Sequence, residues 1–335
     1  MNAMVAALND NHARWEYPLQ PHGATPADTY SLGITTSPAL EPAATAPSEA
    51  LPPLFVTSID PGSPAARSGL RPGDIIVSVN GAPPFTDGIL SPGVISLLNQ
   101  DYPQRRAVQI TVRRPVTGAT RTVTITPATY PAPASAAQVT SKLLAGHIAY
   151  VQFSGFFPGV ASQVLTAISR LEKKTRLDGV IIDLRGNLGG DGTEAARLLG
   201  AFEHGTSYAY DCTITGRCTA DYPDASTPLL HLPLVVLTDR SCASACDAFS
   251  GAVKDLHLGT LVGTRTAGIV AGPGIGYLLD DGSILGLPAE HELSADHEII
   301  NGIGVAPDYY IPLTARNIAT GSDPDIAMAA ALLSK

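Results

Sequence analysis

Beyond residue 146 the apolar positions fall into blocks of two alternating kinds. "HIAYVQFSGF" from His147, "LDGVIIDLRG" from Leu177, "LPLVVLT" from Leu232 and "GTLVGTRT" from Gly259 are near-continuous apolar runs of strand length. Between them, Val160–Leu171, Thr193–Phe202 and Ser244–Leu256 repeat their apolar residues at helical spacing. Runs of the first kind are those of strands buried on both faces. Their alternation with helices predicts βαβ units on a largely parallel sheet.

The first half of the chain has a different rhythm. In "RAVQITVRRP", Val108, Ile110 and Val112 alternate with polar residues, and "TRTVTITPA" follows after a turn at Gly118, as in half-buried antiparallel strands. Leu54–Pro84 runs strand, turn, short Ala-rich helix, Gly, tight turn, strand and Asn-Gly turn. Two Pro/Ala-rich stretches, Ser37–Pro53 and Tyr130–Gln138, predict a flexible loop and a linker. At the start, Met4, Val5 and Leu8 predict a short helix. The expected division is an N-terminal helical segment over 1–25, a β-rich domain over 26–129 and an α/β domain over 130–335.

Composition narrows the function. A chain of 335 residues exceeds one ordinary core. A formal net charge of −9 without a basic stripe excludes a nucleic-acid partner. No apolar run reaches the roughly 18 residues of a membrane span. Met1–Leu8 has no basic, long-cored export signal and reads as a helix already in progress. The expectation is that the chain begins inside a larger domain or has lost such a signal. Location is left open, with an extracytoplasmic setting, periplasmic or secreted, as the expectation. Of the four cysteines, Cys212 and Cys218 bracket a polar turn that a disulfide would close, and Cys242 and Cys246 stand four apart. Neither pair has zinc spacing, and four cysteines allow three pairings.

In parallel sheets ligands bind beyond the carboxyl ends of the strands. Two turns lie there: "RGNLGGDG" from Arg185 and "DRSCASACD" from Asp239. A serine at a helix start, such as Ser244, can attack a carbonyl while the N–H of Ala245 steadies the oxyanion. Ser244 to Asp247 also fits a helix-capping box, and the stretch by itself favours the cap. Gly189 and Gly190 let a backbone approach a ligand, or simply make a tight connection. His12, in "LNDNHARW", is a base near neutral pH or a helix-end cap.

These pieces, in this order, resemble peptidase family S41, the C-terminal processing (tail-specific) serine peptidases. "LNDNH" is similar to the family's segment ahead of its PDZ domain, "SPAARSGLRPGDIIVSVNG" to a bacterial PDZ domain, "VIIDLRGNLGG" to its glycine turn and "GVAPD" (Gly304–Asp308) to its late motif. The resemblance implies an α/β fold: an S41 protease core of crotonase/ClpP-like ββα units, an inserted β-rich PDZ domain and a short N-terminal helical segment. "CASAC" aligns with the family's "SASAS", which puts Ser244 on the nucleophile. Ala245 with Gly189 and Gly190 then forms the oxyanion site. Tyr30, Leu32, Gly33 and Ile34, in "YSLGITTS", resemble the PDZ loop and strand that receive a peptide's carboxyl terminus.

One branch of the family uses a lysine 25 residues after the serine; here that position is Ile269. Lys254, ten residues along the same helix, would be about 15 Å away. The tricorn-like branch uses a histidine ahead of the PDZ domain, matched by His12. Its two orienting positions, a serine and a late glutamate, are Asn11 and Asn301 here, with Glu298 as another nearby carboxylate. The resemblance therefore implies a serine endopeptidase needing no metal or other cofactor, recruiting a peptide or protein with an apolar C-terminus. The rival expectations are a degenerate S41-fold protein that binds peptides or hydrophobic ligands, and a PDZ adaptor. The sequence leaves oligomeric state and substrate sequence open.

Overall fold

The computed structural model describes residues 2–8, 10, 12–16, 28–37, 53–100, 104–131, 139–272 and 274–334. Most of the two Pro/Ala-rich stretches lies outside these residues, as does Asn11.

The N-terminal segment forms α1 (Asn2–Ala7) and β1 (Arg14–Glu16). The β-rich part follows, with β2 (Asp28–Ser31), β3 (Ile34–Thr36), β4 (Val56–Ile59), α2 (Pro64–Ser68) and β5 (Ile75–Val79). A small hairpin, β6 (Phe85–Thr86) and β7 (Ile89–Leu90), leads to α3 (Pro92–Leu98), β8 (Val108–Arg113), β9 (Thr120–Ile125) and β10 (Ala128–Pro131). The alternation read in the sequence is real burial: Val108, Ile110 and Val112 are fully buried. They face Leu32, Ile76, Val94 and Leu98 in a core confined to this part of the chain. α2 starts at Ser63, whose hydroxyl accepts the Ala66 N–H, and stops at Gly69 in the left-handed region. Tyr130 and Pro131, expected in the linker, belong to β10, which pairs with β2.

The α/β part begins with β11 (Val139–Leu144), β12 (Ile148–Phe153), α4 (Val160–Glu172), β13 (Gly179–Asp183) and α5 (Gly192–Leu199). After β14 (Ala209–Thr213) and β15 (Cys218–Asp221) come β16 (Leu234–Thr238), α6 (Ala245–Asp255) and β17 (Gly259–Gly263). The chain ends in β18 (Gly274–Leu278), β19 (Ile284–Pro288), β20 (Glu290–Ser294), β21 (Tyr309–Tyr310), α7 (Ala315–Thr320) and α8 (Pro324–Leu333). The central sheet has the order β11-β12-β13-β16-β17-β21, parallel from β12 onward. Every residue of β13 and β16 is buried. One face packs on α4, α5 and α6, and the other on α8.

The largely parallel sheet is thus as expected. Two antiparallel sheets, β15-β14-β20 and β1-β19-β18, come in addition. Their strands are short and partly exposed, so their apolar period is weak. β1 joins β19 with Trp15 opposite Leu285, and the Trp15 indole N–H donates to Ser283 Oγ (2.8 Å). That pairing brings the N-terminal segment onto the α/β part and fixes His12, two residues earlier.

Arg185 locks the carboxyl end of β13 to the start of α8. Its guanidinium donates to both oxygens of Asp183 (2.9 and 2.6 Å), to Asp323 (2.8 Å) and to Asp325 (2.9 Å). Burial raises the Asp323 carboxyl, but the Arg185 contacts outweigh it and hold the group below the usual range. Removing one member of so buried a network strands the others. Arg185→Met is expected to cost about 3–5 kcal/mol, read by urea denaturation.

Candidate active site

Two turns at the carboxyl ends of neighbouring strands form the site. Asn187, fully buried in the turn after β13, joins them. Its amide donates to the Phe153 carbonyl (3.2 Å) and its Oδ1 accepts the Gly189 N–H (2.9 Å). Its main-chain carbonyl accepts the Ala243 N–H (3.1 Å) from the turn after β16. The turns are so close that only glycine fits at 189. A β-carbon there would stand 2.3 Å from the Ala243 carbonyl oxygen and 2.7 Å from Ser244 Cβ. Gly190 is equally constrained, with a would-be β-carbon 2.4 Å from the Phe156 carbonyl oxygen.

Ser244 lies between β16 and α6 with φ 56° and ψ −123°. That is not the extended conformation of an ordinary helix cap. For a residue with a side chain it costs on the order of 1–3 kcal/mol, and such strain clusters at functional sites. The capping reading is half right: the Ser244 N–H does reach the Asp247 carboxylate (3.1 Å), and it also reaches the Ile269 carbonyl (2.7 Å). Asp247, fully buried, accepts the N–H groups of Gly268 (3.0 Å) and Ile269 (2.9 Å) as well. Burial raises its carboxyl, and hydrogen bonds from Thr266 and these N–H groups oppose the rise. Asp247 therefore ties the serine turn to loop 266–270. Sequence reading saw in it only a cap.

Each of the two turns carries one further backbone N–H group, on Ala245 and on Gly190. Ala245 opens α6, where N–H groups lack partners within the helix and the dipole favours negative charge. Gly190 is exposed, and its N–H meets no acceptor among the described residues. Gly189, expected to offer its N–H as well, donates to Asn187 instead.

His12 is half-buried ahead of β1, in a turn where Asp10 accepts the N–H groups of His12 (2.8 Å) and Ala13 (2.9 Å). It is not at the end of α1, which stops at Ala7. Burial pushes its imidazole below the ordinary 6.5; Asp10 works against this and Arg14 with it. His12 lines a cavity of about 220 Å³ with Arg14, Ala271, Gly272, Gly276 and Leu287. The loop that accepts the Ser244 N–H at Ile269 runs into this cavity at Ala271. Behind Gly272, Asp211 and Glu292 face each other across β14 and β20. Burial first, and neighbouring carboxylates second, push Asp211 up to about 6 and Glu292 to about 8.

The family lysine position, Ile269, is indeed beside the serine, but with an apolar side chain. Lys254 is at the far end of α6, donating to the Ala306 carbonyl (2.6 Å) within "GVAPD". Asn301 Oδ1 accepts the Val270 N–H (3.3 Å), and Glu298 is exposed in the turn after β20. Asn11 lies outside the described residues.

In the β-rich part, the Tyr30 hydroxyl donates to the Gln104 carbonyl (2.5 Å) and Leu32 is fully buried. Gly33, at φ 77°, packs against Ser63 and donates its N–H to Ser31 Oγ (2.9 Å). Ile34 opens β3, which pairs with β4 on one edge and with no described strand on the other. Both pairs of cysteines are disulfides: Cys212–Cys218 and Cys242–Cys246.

The chain thus combines a parallel-sheet core, a strained serine at a helix start and a small β-rich domain with its own core. Residues 147–311 match the peptidase family S41 model and residues 55–93 match a PDZ domain. The chain thus carries a PDZ domain followed by a peptidase family S41 region, and it is similar to C-terminal processing peptidases that bear both. It is 28% identical over 279 residues to a carboxyl-terminal-processing protease of Picosynechococcus, covering 81% of this chain and 64% of that protein. It is 28% identical over 325 residues to the chloroplastic carboxyl-terminal-processing peptidase 2 of Arabidopsis thaliana, covering 92% and 59%. The chain thus spans less than two thirds of the length of these relatives. A solved photosystem II D1 C-terminal processing protease shares the fold, with a TM-score of 0.60 at 23% identity, over 99% of this chain and 84% of that one.

Proposed function

We propose that the chain is a serine endopeptidase that cleaves peptides or protein C-terminal tails through an acyl-enzyme on Ser244. The observation that carries this reading is the strained backbone of Ser244 at the start of α6, beside Ala245 and against the glycine turn at Gly189. Ser244 Oγ attacks the scissile carbonyl. The N–H groups of Ala245 and Gly190 receive the oxyanion, and Gly189 supplies the room that brings the two turns together. His12 takes the serine's proton and returns it to the leaving amine, after the Ser-His branch of the family, since Ile269 cannot serve as a base. Asn11 and Asn301 are the proposed orienting groups in place of that branch's serine and glutamate.

The substrate class follows that of the carboxyl-terminal-processing relatives. The PDZ part recruits an apolar carboxyl terminus by strand addition along Tyr30–Ser37, at the edge of β3 that pairs with no described strand. Leu32, being buried, shapes the loop from below and Gly33 turns it. The proposed division of the chain is 1–25, 26–129 and 130–335, supported by a PDZ core drawn from within 32–125. Two disulfides support an extracytoplasmic setting.

A fluorophosphonate probe tests the reading. Wild-type protein is expected to be labelled and Ser244→Ala not. Wild-type protein that takes no label would leave a binding protein on this fold. The rate should depend on pH through His12. Because burial lowers its pKa, the imidazole is neutral down to a pH below 6.5. Labelling is therefore expected to fall only as pH drops through that lower value. A His12→Ala variant should be slower by about 10²–10⁴-fold and should lose this acid limb. An acid limb that survives in His12→Ala would point to another base.

A further inference from the structure

Ser244 stands at the centre of the loop Cys242-Ala-Ser-Ala-Cys246, which a disulfide closes across a sequence separation of four. Both half-cystines are fully buried. Cys246 Sγ lies 3.9 Å from the Leu184 carbonyl at the end of β13, and Cys242 Sγ lies 3.5 Å from Ser250 Oγ in α6. The bridge therefore sits beneath the serine, between the strand end and the helix. We propose that the Cys242–Cys246 disulfide is a positioning element that holds Ser244 in its attacking conformation. This rests on the reading of Ser244 as the nucleophile.

Cys242 donates its N–H to the Asp239 carbonyl (3.0 Å) and accepts from Ala267 (2.8 Å), while Cys246 donates to the Ala243 carbonyl (3.0 Å). These bonds hold the two ends of the loop, and at its centre the Ala243 N–H is held by Asn187 and the Ser244 N–H by Ile269 and Asp247, so that the bridge adds the covalent limit to a turn otherwise held by hydrogen bonds. A serine at φ 56° relaxes toward negative φ unless its surroundings over-determine it. Relaxation requires residues 242 and 246 to move relative to each other, and the bridge holds their Cα atoms 5.2 Å apart. The same restraint fixes the first turn of α6, and with it the direction of the Ala245 N–H. In the chain-entropy account a disulfide stabilises less the shorter its loop. This one closes a very short loop, so its contribution lies in the geometry at Ser244. The flanking residues in the family resemblance are serines, which can restrain the turn only through hydrogen bonds.

The test uses the whole chain. In Cys242→Ala/Cys246→Ala, kcat on a tail peptide is expected to fall by about 10²-fold, the cost of a roughly 1 Å misplacement, with KM unchanged. Cys242→Ser/Cys246→Ser should recover part of the loss. Circular dichroism and the fraction of sites titrated by the fluorophosphonate separate misplacement from unfolding. A second arm reduces the bridge in a Cys212→Ser/Cys218→Ser background, where it is the only disulfide. Dithiothreitol breaks the S–S bond and closes to its own cyclic disulfide, and the two cysteines take up two electrons and two protons. Loss of kcat should track the appearance of two titratable thiols and reverse on reoxidation. Fully reduced protein, or the alanine pair, working at the wild-type kcat would overturn the proposal, as would a rise in KM alone. Wild-type protein that takes no label would overturn the nucleophile reading, and the bridge proposal with it. A labelled wild type with unimpaired bridge-free variants would overturn the bridge proposal only.

Discussion

Ser244→Ala is expected to lower kcat for tail-peptide cleavage by roughly 10⁶-fold, the loss typical when a serine nucleophile is removed from a working triad. Stability should change little. The substitution removes one hydroxyl from a partly buried residue and leaves the N–H bonds to Ile269 and Asp247 in place. Alanine at φ 56° carries the same backbone strain as serine. A shift within about 0.5 kcal/mol, by urea denaturation, is expected for a substitution touching no packed feature. Peptide binding should persist, because the PDZ part and the cavity walls are untouched. A variant that still cleaves would remove Ser244 from the reaction.

Gly189→Ala should disable the site while leaving Ser244 in the chain. The new β-carbon meets the Ala243 carbonyl oxygen at 2.3 Å and Ser244 Cβ at 2.7 Å. These are not flexible side-chain ends, so the two turns must part. Parting them moves Ser244 away from Gly190 and breaks the Asn187 link to Ala243. Spoiling an oxyanion site typically costs about 10²–10³ in kcat. The residue also sits at φ 88°, which adds about 1–3 kcal/mol of strain for alanine. Gly186→Ala is the control. Gly186 is in the same turn at φ 78°, yet nothing lies within 4 Å of its would-be β-carbon. Its variant should share the strain but keep its kcat. Equal losses in the two variants would mean that backbone strain, and not the closeness of the turns, governs the site.

The legible parts of the sequence were those where burial is two-sided and continuous. "VIID" and "LVVL" became fully buried strands, and the turns after them are those that carry the candidate site residues. The strands of residues 209–221 and 274–294 were not legible. They pair by main-chain bonds, many of their residues are exposed, and two of the pairings, β14 with β20 and β1 with β19, join strands far apart in sequence. Ser244 was legible as a candidate, but its positive φ was not, since no single-residue preference would place a serine there. Asn187 was hidden inside a motif read for its glycines. Its buried side-chain amide joins the strand end to the glycine turn, and its main-chain carbonyl joins both to the serine turn. The pairing of Cys242 with Cys246 was one of three possibilities until the loop geometry brought the sulfurs together.

The central claim is that Ser244, and no other residue, forms the covalent intermediate. Peptide mapping by mass spectrometry after fluorophosphonate labelling tests it most directly. The account predicts a single adduct in the segment Asp239–Phe249, placed on Ser244 by fragmentation and absent from Ser244→Ala. An adduct on Ser241, Ser250 or any residue outside this turn, or wild-type protein that remains unmodified while cleaving peptide, would contradict it.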